Sequence, residues 1–196
     1  TRKREMRIIQ AADATIVHSS FEKKLLDKEP ATKGQKSKVY LFPWAIEIPG
    51  PQTLFDQRDG IAFIGGFQHQ PNIDAVLWFT AEILPLIRRR LPDAVFYIVG
   101  SHPAPEVLAL EGDGIKVVGF VEDLREVLDR CRMSVVPMRY GAGIKGKIGT
   151  SLSYGLPCVA TSIGAEGMDL TDGDGVLVAD DPSDFADTVV QLYRDS

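Results

Sequence analysis

The chain has 196 residues, of which 44% are hydrophobic and 25% are charged, and its net charge is −5 at pH 7. These proportions are typical of a globular domain with a buried core, and they exclude a disordered or collagen-like chain. The acidic balance argues against a general affinity for nucleic acid phosphates, so nucleic acid is not an expected partner.

No apolar run reaches the length of a transmembrane segment, and no signal-peptide apolar region follows the first four residues. The two cysteines, Cys131 and Cys158, lie in apolar segments, which predicts two buried thiols and neither a disulfide framework nor a zinc site. We therefore expect a soluble protein of the cytoplasm.

Residues 1–48 contain one predicted strand–helix–strand unit. Strands are expected at residues 14–18 and 38–42, and Ser19 with Glu22 forms a capping box at the start of the helix between them. A turn-rich linker follows at residues 49–60. One such unit cannot bury both of its faces, so it either extends the following sheet or is a remnant of a neighbouring domain, and we expect it to be mobile, to dock or to self-associate.

From residue 61 onward, apolar strands alternate with segments of helical spacing, which predicts an α/β domain with a doubly wound, Rossmann-like parallel sheet. A long helix is expected over residues 72–90, interrupted at Pro85, and the final helix is capped by Asp181. Leu124, Val127 and Cys131 share one predicted helical stripe. The six strands are expected at residues 61–64, which should be internal, and at 94–99, 115–118, 134–136, 158–160 and 176–178.

The first glycine loop (residues 65–69) joins the strand at 61–64 to a helix that begins near Asn72. Gly65 and Gly66 let a ligand approach closely, and the helix start offers unpaired N–H groups, so the pattern favours a phosphate-bearing ligand. A plain strand-to-helix turn is the alternative, and His69 either donates to a phosphate or lies in solvent.

The second glycine loop (residues 141–147) is rich in glycine and lysine. Gly141, Gly143 and Gly146 match a dinucleotide-binding pattern, but the strand ends too early and no acidic residue follows to bind a ribose. The same loop matches a P-loop until Ile148, which cannot bind Mg²⁺. The loop still suits a diphosphate or sugar phosphate, because its glycines expose backbone N–H groups and three basic side chains create a local positive field. These are Arg139, Lys145 and Lys147.

The predicted strands place several glycine-containing loops at the same edge of the sheet. Gly119 and Phe120 and the two glycine loops all follow strands at their carboxyl ends, where doubly wound folds bind ligands. These loops are expected to line one crevice.

Together these motifs resemble the C-terminal, nucleotide-sugar-binding domain of the group 1 glycosyltransferases (glycosyltransferase family 4, GT-B fold). The matching segments are the strand, Gly-Gly loop and Pro-Asn-led helix at 63–74, the strand ending in Val-Gly at 97–100, the G-x-G-x-K to G-x-P-x-V-A-T stretch at 141–161, and the closing strand at 175–178. The resemblance covers residues 61–196, and residues 11–48 are similar to the last segment of the family's N-terminal acceptor domain.

The resemblance implies retaining transfer of a sugar from a nucleotide diphosphate donor, with no metal or other cofactor and with a glycan, lipid or protein as acceptor. Lys145, Arg139 and Lys147 would neutralise the diphosphate. The two glutamates of the family motif fall on Ala142 and Thr150, and Thr150 can offer the ribose only a neutral hydrogen bond. Members of the family often carry an arginine just after the first glycine of the first glycine loop, and this chain has Gly66 and Phe67 there instead.

Two hypotheses follow from these residues. The first is the donor-binding half of a glycosyltransferase, cytoplasmic or peripheral to the inner membrane in the full-length protein. The second is a non-catalytic nucleotide-sugar-binding or regulatory module that lost both acids. In either case we expect this chain to be unable to transfer a sugar alone, since most of an acceptor domain is missing from it.

Overall fold

The computed structural model describes residues 2–29, 38–170 and 174–195. Its strands are β1 (Thr15–Val17), β2 (Val39–Leu41), β3 (Gly60–Ile64), β4 (Val95–Val99), β5 (Ile115–Gly119), β6 (Cys131–Val136), β7 (Cys158–Ala160) and β8 (Val176–Val178). Its α-helices are α1 (Arg2–Ala11), α2 (Ser20–Lys28), α3 (Gln70–Trp78), α4 (Leu84–Arg88), α5 (Pro105–Leu108), α6 (Arg125–Leu128), α7 (Gly146–Ser153), α8 (Ser162–Ala165) and α9 (Pro182–Arg194).

The main sheet has six strands in the order β5-β4-β3-β6-β7-β8, and every neighbouring pair is parallel. This confirms the predicted doubly wound sheet and the internal position of β3. The chain runs outward from β3 to β5 and then returns to β6, on the other side of β3. The crevice between the carboxyl ends of β3 and β6 is therefore the topological switch point, where ligands bind in folds of this kind.

Successive residues of β3 point to opposite faces of the sheet, and both faces are covered. Ile61 and Phe63 belong to a large core cluster with α3 and α9, while Ala62 belongs to a second cluster with Tyr97 and Leu156. All three β3 residues are fully buried. This burial on both faces is why the predicted strands read as continuous apolar runs.

The long helix after β3 is interrupted earlier than expected. Between α3 and α4, residues Phe79–Ile83 form a π-helical segment, which ends just before Pro85. Proline cannot donate a backbone hydrogen bond and its ring crowds the preceding turn, and the wider π turn relieves that crowding. The segment buries Phe79 against Phe96 and Phe185, with ring centroids 4.6 and 6.1 Å apart.

The prediction that Cys131 continues the apolar stripe of the helix with Leu124 and Val127 is wrong. Helix α6 ends at Leu128, and Cys131 begins β6, which therefore starts earlier than the expected residue 134. Cys131 still packs in one cluster with Val127 and Leu128, so the apolar spacing reflected a contact across the turn between α6 and β6. Cys131 and Cys158 are both buried free thiols, as predicted, and burial raises the pKa of each to about 12.

The N-terminal unit comprises α1, which the sequence did not predict, and the expected β1–α2–β2 unit. Ser19 Oγ accepts the Glu22 N–H at 3.0 Å, which confirms the N-terminal cap of α2. Strands β1 and β2 pair with each other as a separate two-stranded parallel sheet and do not extend the main one.

The segment after β2 runs along the glycine face of α7. A β-carbon at Gly146 would lie 2.6 Å from the Trp44 ring, and one at Gly149 would lie 2.5 Å from Ile46. Gly50 N–H also donates to Ser153 O at 3.0 Å. The small residues of α7 therefore allow this segment to hold the N-terminal unit beside the second glycine loop.

Candidate nucleotide-sugar site

The two glycine loops meet at the topological switch point, because β3 and β6 are neighbours. Gly65 N–H donates to Val99 O at 2.9 Å, and Gly100 N–H donates to Gly119 O at 2.8 Å, so the loops after β3, β4 and β5 are joined by backbone hydrogen bonds. Gly119 and Phe120 follow the edge strand β5, and the Phe120 side chain is 71% exposed. They lie farther from the switch point than the two glycine loops.

The first glycine loop is held in a close backbone approach. A β-carbon at Gly100 would lie 1.8 Å from Gly65 O, so no larger residue fits there without a shift of the loop. The Asn72 side chain, at the start of α3, donates to Gly66 O at 2.8 Å. His69 occupies the N-cap position of α3, is exposed and makes no side-chain capping bond.

Lys147 connects the second glycine loop to the first. Its Nζ donates to Asn72 Oδ1 at 2.5 Å and lies 4.4 Å from the centroid of the Phe63 ring. Burial, and then the nearby Lys145, lower the pKa of Lys147 to about 7. An ammonium group of this kind gains stability from any anion that enters beside it.

Lys145 is the second cation of the site, and it is buried. Its side chain is 8% exposed, and its Nζ donates to Gly143 O at 2.6 Å. Burial lowers the pKa of Lys145, while the carboxylates of Glu166 and Glu22 act in the opposite direction. Two cations therefore lie close together at the start of α7, an end of the helix that itself favours anions.

Arg139 already has an anionic partner. Its Nε donates to Asp74 Oδ2 at 2.9 Å, a second nitrogen donates to Asp74 Oδ1, and the guanidinium lies 5.6 Å from the Trp78 ring centroid. The hydrogen bonds to Asp74 raise the pKa of Arg139. Among the described residues, no carboxylate is hydrogen-bonded to the other two predicted basic residues, Lys145 and Lys147.

The remaining predicted residues lie on the second glycine loop and α7. Gly141 and Gly143 have φ values of +137° and +77°, which favour glycine. Ala142 is exposed on the loop, and Thr150 is half-buried on α7, where its carbonyl accepts the Ser153 hydroxyl at 2.8 Å. Neither position brings a carboxylate to the site.

A cleft of about 940 Å³ separates the N-terminal unit from the second glycine loop. Ala142, Gly143 and Glu166 line one wall, and His18 and Glu22 line the other. Glu166 belongs to no sequence motif, so the sequence alone does not point to it. In the sequence, Glu22 stands out only as part of a capping box, and Asn72 only as the start of a helix.

The described residues contain no group of three or more histidine, cysteine or acidic side chains placed to hold a metal ion. They also contain no helix that is both long and apolar enough to cross a bilayer.

The chain belongs to the family "Glycosyl transferases group 1", which it matches over residues 58–195. The architecture and the glycine-lined crevice agree with this assignment, and the fold matches the domains of GT-B glycosyltransferases.

One relative by sequence is an uncharacterized 44.6 kDa protein in the cps region of Klebsiella pneumoniae, 26% identical over 191 residues. The match covers 91% of this chain and 49% of that protein.

The fold is similar to that of S. aureus TarM, in a variant solved with fondaparinux, α-GlcNAc-glycerol and UDP. The TM-score is 0.78 at 18% identity, covering 98% of this chain and 40% of TarM. It is also similar to Anabaena HepE in complex with UDP and glucose, with a TM-score of 0.66 at 12% identity, covering 94% of this chain and 54% of HepE. The chain thus spans about half the length, or less, of these relatives.

Proposed function

We propose that this chain is the donor-binding half of a retaining glycosyltransferase, which transfers a sugar from a nucleotide diphosphate sugar to a glycan, lipid or protein acceptor. The observation that carries the proposal is the pair of lysines at the switch point of the sheet, between the two glycine loops: Lys145, which is buried, and Lys147, which is half-buried.

A leaving diphosphate needs positive charge that is already in position when the glycosidic bond breaks. Preorganised cations in a site of low water content stabilise such developing charge far better than exposed cations do. Lys145 and Lys147 already lie in such a site, and because burial disfavours their charged forms, each ammonium gains stability when a diphosphate enters beside it. The similar structures of TarM and HepE contain UDP, which makes UDP the first nucleotide to test.

The acceptor side is proposed to come mainly from polypeptide outside these residues. We assign residues 1–48 to the end of the acceptor domain, residues 49–60 to a linker and residues 61–196 to the donor domain. The separate β1–β2 sheet supports this division. Aligning donor and acceptor in a cleft can lower a barrier by roughly 7 to 11 kcal/mol, which one small unit is not expected to achieve.

A second candidate function is a non-catalytic nucleotide-sugar-binding or regulatory module. The observation in its favour is the absence of a carboxylate at Ala142 and Thr150, the two positions of the family's glutamate motif. Binding would survive this loss, because the lysines and helix N-termini remain.

A two-stage experiment tests the proposal and separates the candidates. Calorimetry of this chain with UDP, GDP and ADP should detect binding of at least one, and no binding would contradict both functions. A radiolabelled-donor assay with mixed lipid, glycan and protein acceptors then compares this chain with the complete gene product. We expect transfer by the complete product only. Binding without transfer by either favours the regulatory module, and transfer by this chain alone would contradict the proposed division of labour.

A further inference from the structure

The donor site as built from the two glycine loops has cations for a diphosphate but no anionic group for the sugar. Sugar hydroxyls are donors, and a carboxylate is an acceptor-only group that can bind two of them. Ala142 and Thr150 offer none. A carboxylate must therefore come from another element that borders the cleft. Two acids that line the cleft, Glu166 and Glu22, also act on Lys145, and of these Glu22 comes from the wall opposite the loop.

Glu22 is the carboxylate that lies against the second glycine loop. Its Oε1 is 3.5 Å from the position that a β-carbon at Gly143 would occupy, so it rests beside the loop backbone at the residue after Ala142. The side chain comes from α2, on the opposite wall of the cleft. The hydrogen bond that caps α2 uses the backbone N–H of Glu22 and not its carboxylate, and the Glu22 side chain lines the cleft.

The position of α2 is fixed by contacts with the main domain. Ser20 Oγ donates to Asp169 Oδ1 at 2.8 Å, and a β-carbon at Gly167 would lie 3.3 Å from Ser19 Oγ. The first turn of α2, which carries Glu22, is thus anchored to the segment that follows α8. This anchoring holds the carboxylate in place before a ligand arrives.

The electrostatics of Lys145 place Glu22 on the side of the diphosphate. Glu166 and Glu22 both favour the charged form of this ammonium, against the effect of burial. A donor whose diphosphate contacts Lys145 can extend its sugar, which is bonded to that diphosphate, into the cleft beside Glu22.

We infer that Glu22 binds a hydroxyl group of the donor sugar, and so supplies from across the cleft the carboxylate that the second glycine loop lacks at Ala142. This inference rests on the proposed function. It assigns Glu22 a role in recognising the sugar and none in binding the nucleotide.

The inference predicts different effects on two ligands. Glu22→Gln removes a negative charge near Lys145, so the affinity for UDP should stay within about twofold or become tighter. The affinity for a UDP-sugar should fall by about tenfold, because hydrogen bonds to charged groups are worth about 1.5 kcal/mol or more. Calorimetry of this chain with UDP, UDP-glucose, UDP-galactose and UDP-N-acetylglucosamine measures both effects.

Two further variants keep the test decisive. Glu22→Asp retains the charge but withdraws the carboxylate, and it should weaken UDP-sugar binding without affecting UDP. Glu126→Gln, which removes an exposed first-turn acid from α6, should change neither affinity.

Equal losses for UDP and the UDP-sugar in the Glu22 variants would overturn the inference, and so would unchanged UDP-sugar affinity. Either result leaves the proposed function standing as long as UDP binds to the parent chain. If UDP and its sugars do not bind but GDP or ADP does, the same comparison is made with the sugars of that nucleotide. If UDP, GDP and ADP all fail to bind, the proposed function fails and the inference fails with it.

Discussion

Lys147 Nζ and Asn72 Oδ1 lie 2.5 Å apart, and this hydrogen bond joins α7 to the start of α3. Asn72 in turn donates to Gly66 O at 2.8 Å. The ammonium of Lys147 is thereby placed directly behind the first glycine loop, where its charge is costly in the absence of a ligand. The two glycine loops are therefore joined through Lys147 and Asn72. Because the ammonium of Lys147 is partly desolvated, the stability of the protein without a ligand should depend on pH.

Stability should rise with pH above neutrality because of Lys147. Its pKa is about 7 in the folded protein, against the ordinary lysine value of 10.5, so between these pH values the unfolded chain binds a proton that the folded chain does not. Where the unfolded state holds the extra proton, stability increases with pH, here by up to about 1.4 kcal/mol per pH unit. The contribution levels off below about pH 7.

Urea denaturation at pH 7.0, 7.5, 8.0 and 8.5 measures this slope. The range ends below the ordinary cysteine pKa of 9.0, above which Cys131 and Cys158 would contribute in the opposite direction. Lys147→Met should lose most of the slope and keep the smaller part that comes from Lys145, whose pKa is also lowered. Lys116→Met, at an exposed position on β5, should keep the whole slope. Identical slopes in the parent chain and in Lys147→Met would contradict the assignment.

Lys145→Ala should weaken binding of UDP by roughly 10- to 100-fold, since a hydrogen bond to a charged group contributes about 1.5 to 3 kcal/mol. Calorimetry with UDP at constant salt measures the change. Lys116→Ala, which removes an exposed charge from the edge of the same sheet, is the matched control. An unchanged affinity in Lys145→Ala would remove this residue from the diphosphate site.

Binding of UDP should not depend on a divalent metal. The phosphate charge can be balanced by Lys145 and Lys147 together with the N–H groups at the starts of α3 and α7. Affinities measured in EDTA and in MgCl₂, at equal ionic strength, should agree within about twofold. A tenfold loss in EDTA would instead indicate a metal-bridged diphosphate.

Phe79→Ala should destabilise the domain by about 3 to 5 kcal/mol, the usual cost of removing a fully buried aromatic ring. Phe79 is completely buried in the π-helical segment and contacts the rings of both Phe96 and Phe185. Chemical denaturation of this chain measures the loss. Leu108→Ala, at a half-exposed position on α5, should cost less than about 1 kcal/mol, and a similar cost for both variants would show that Phe79 does not hold these elements together.

The strands of the main sheet, apart from the early start of β6, and the starts of α2 and α9 were predictable from the chain alone because their signals are local. Each strand of the main sheet is a short apolar run bounded by turn residues. Ser19 and Asp181 accept nearby backbone N–H groups, as their positions in the sequence predict. The glycine loops also follow their strands as expected, so the crevice could be located before any tertiary contact was known.

The partners of the charged side chains depended on packing between distant segments. Lys147 and Asn72 are 75 positions apart and Arg139 and Asp74 are 65 apart, so no local period relates them. The Arg139 guanidinium, which the sequence predicts to neutralise a diphosphate, is hydrogen-bonded to Asp74 in the folded chain. Glu22 reaches the Gly143 backbone only because α2 is anchored across the cleft. Local spacing encodes which elements form, whereas the charges that meet at a site are set by how those elements pack.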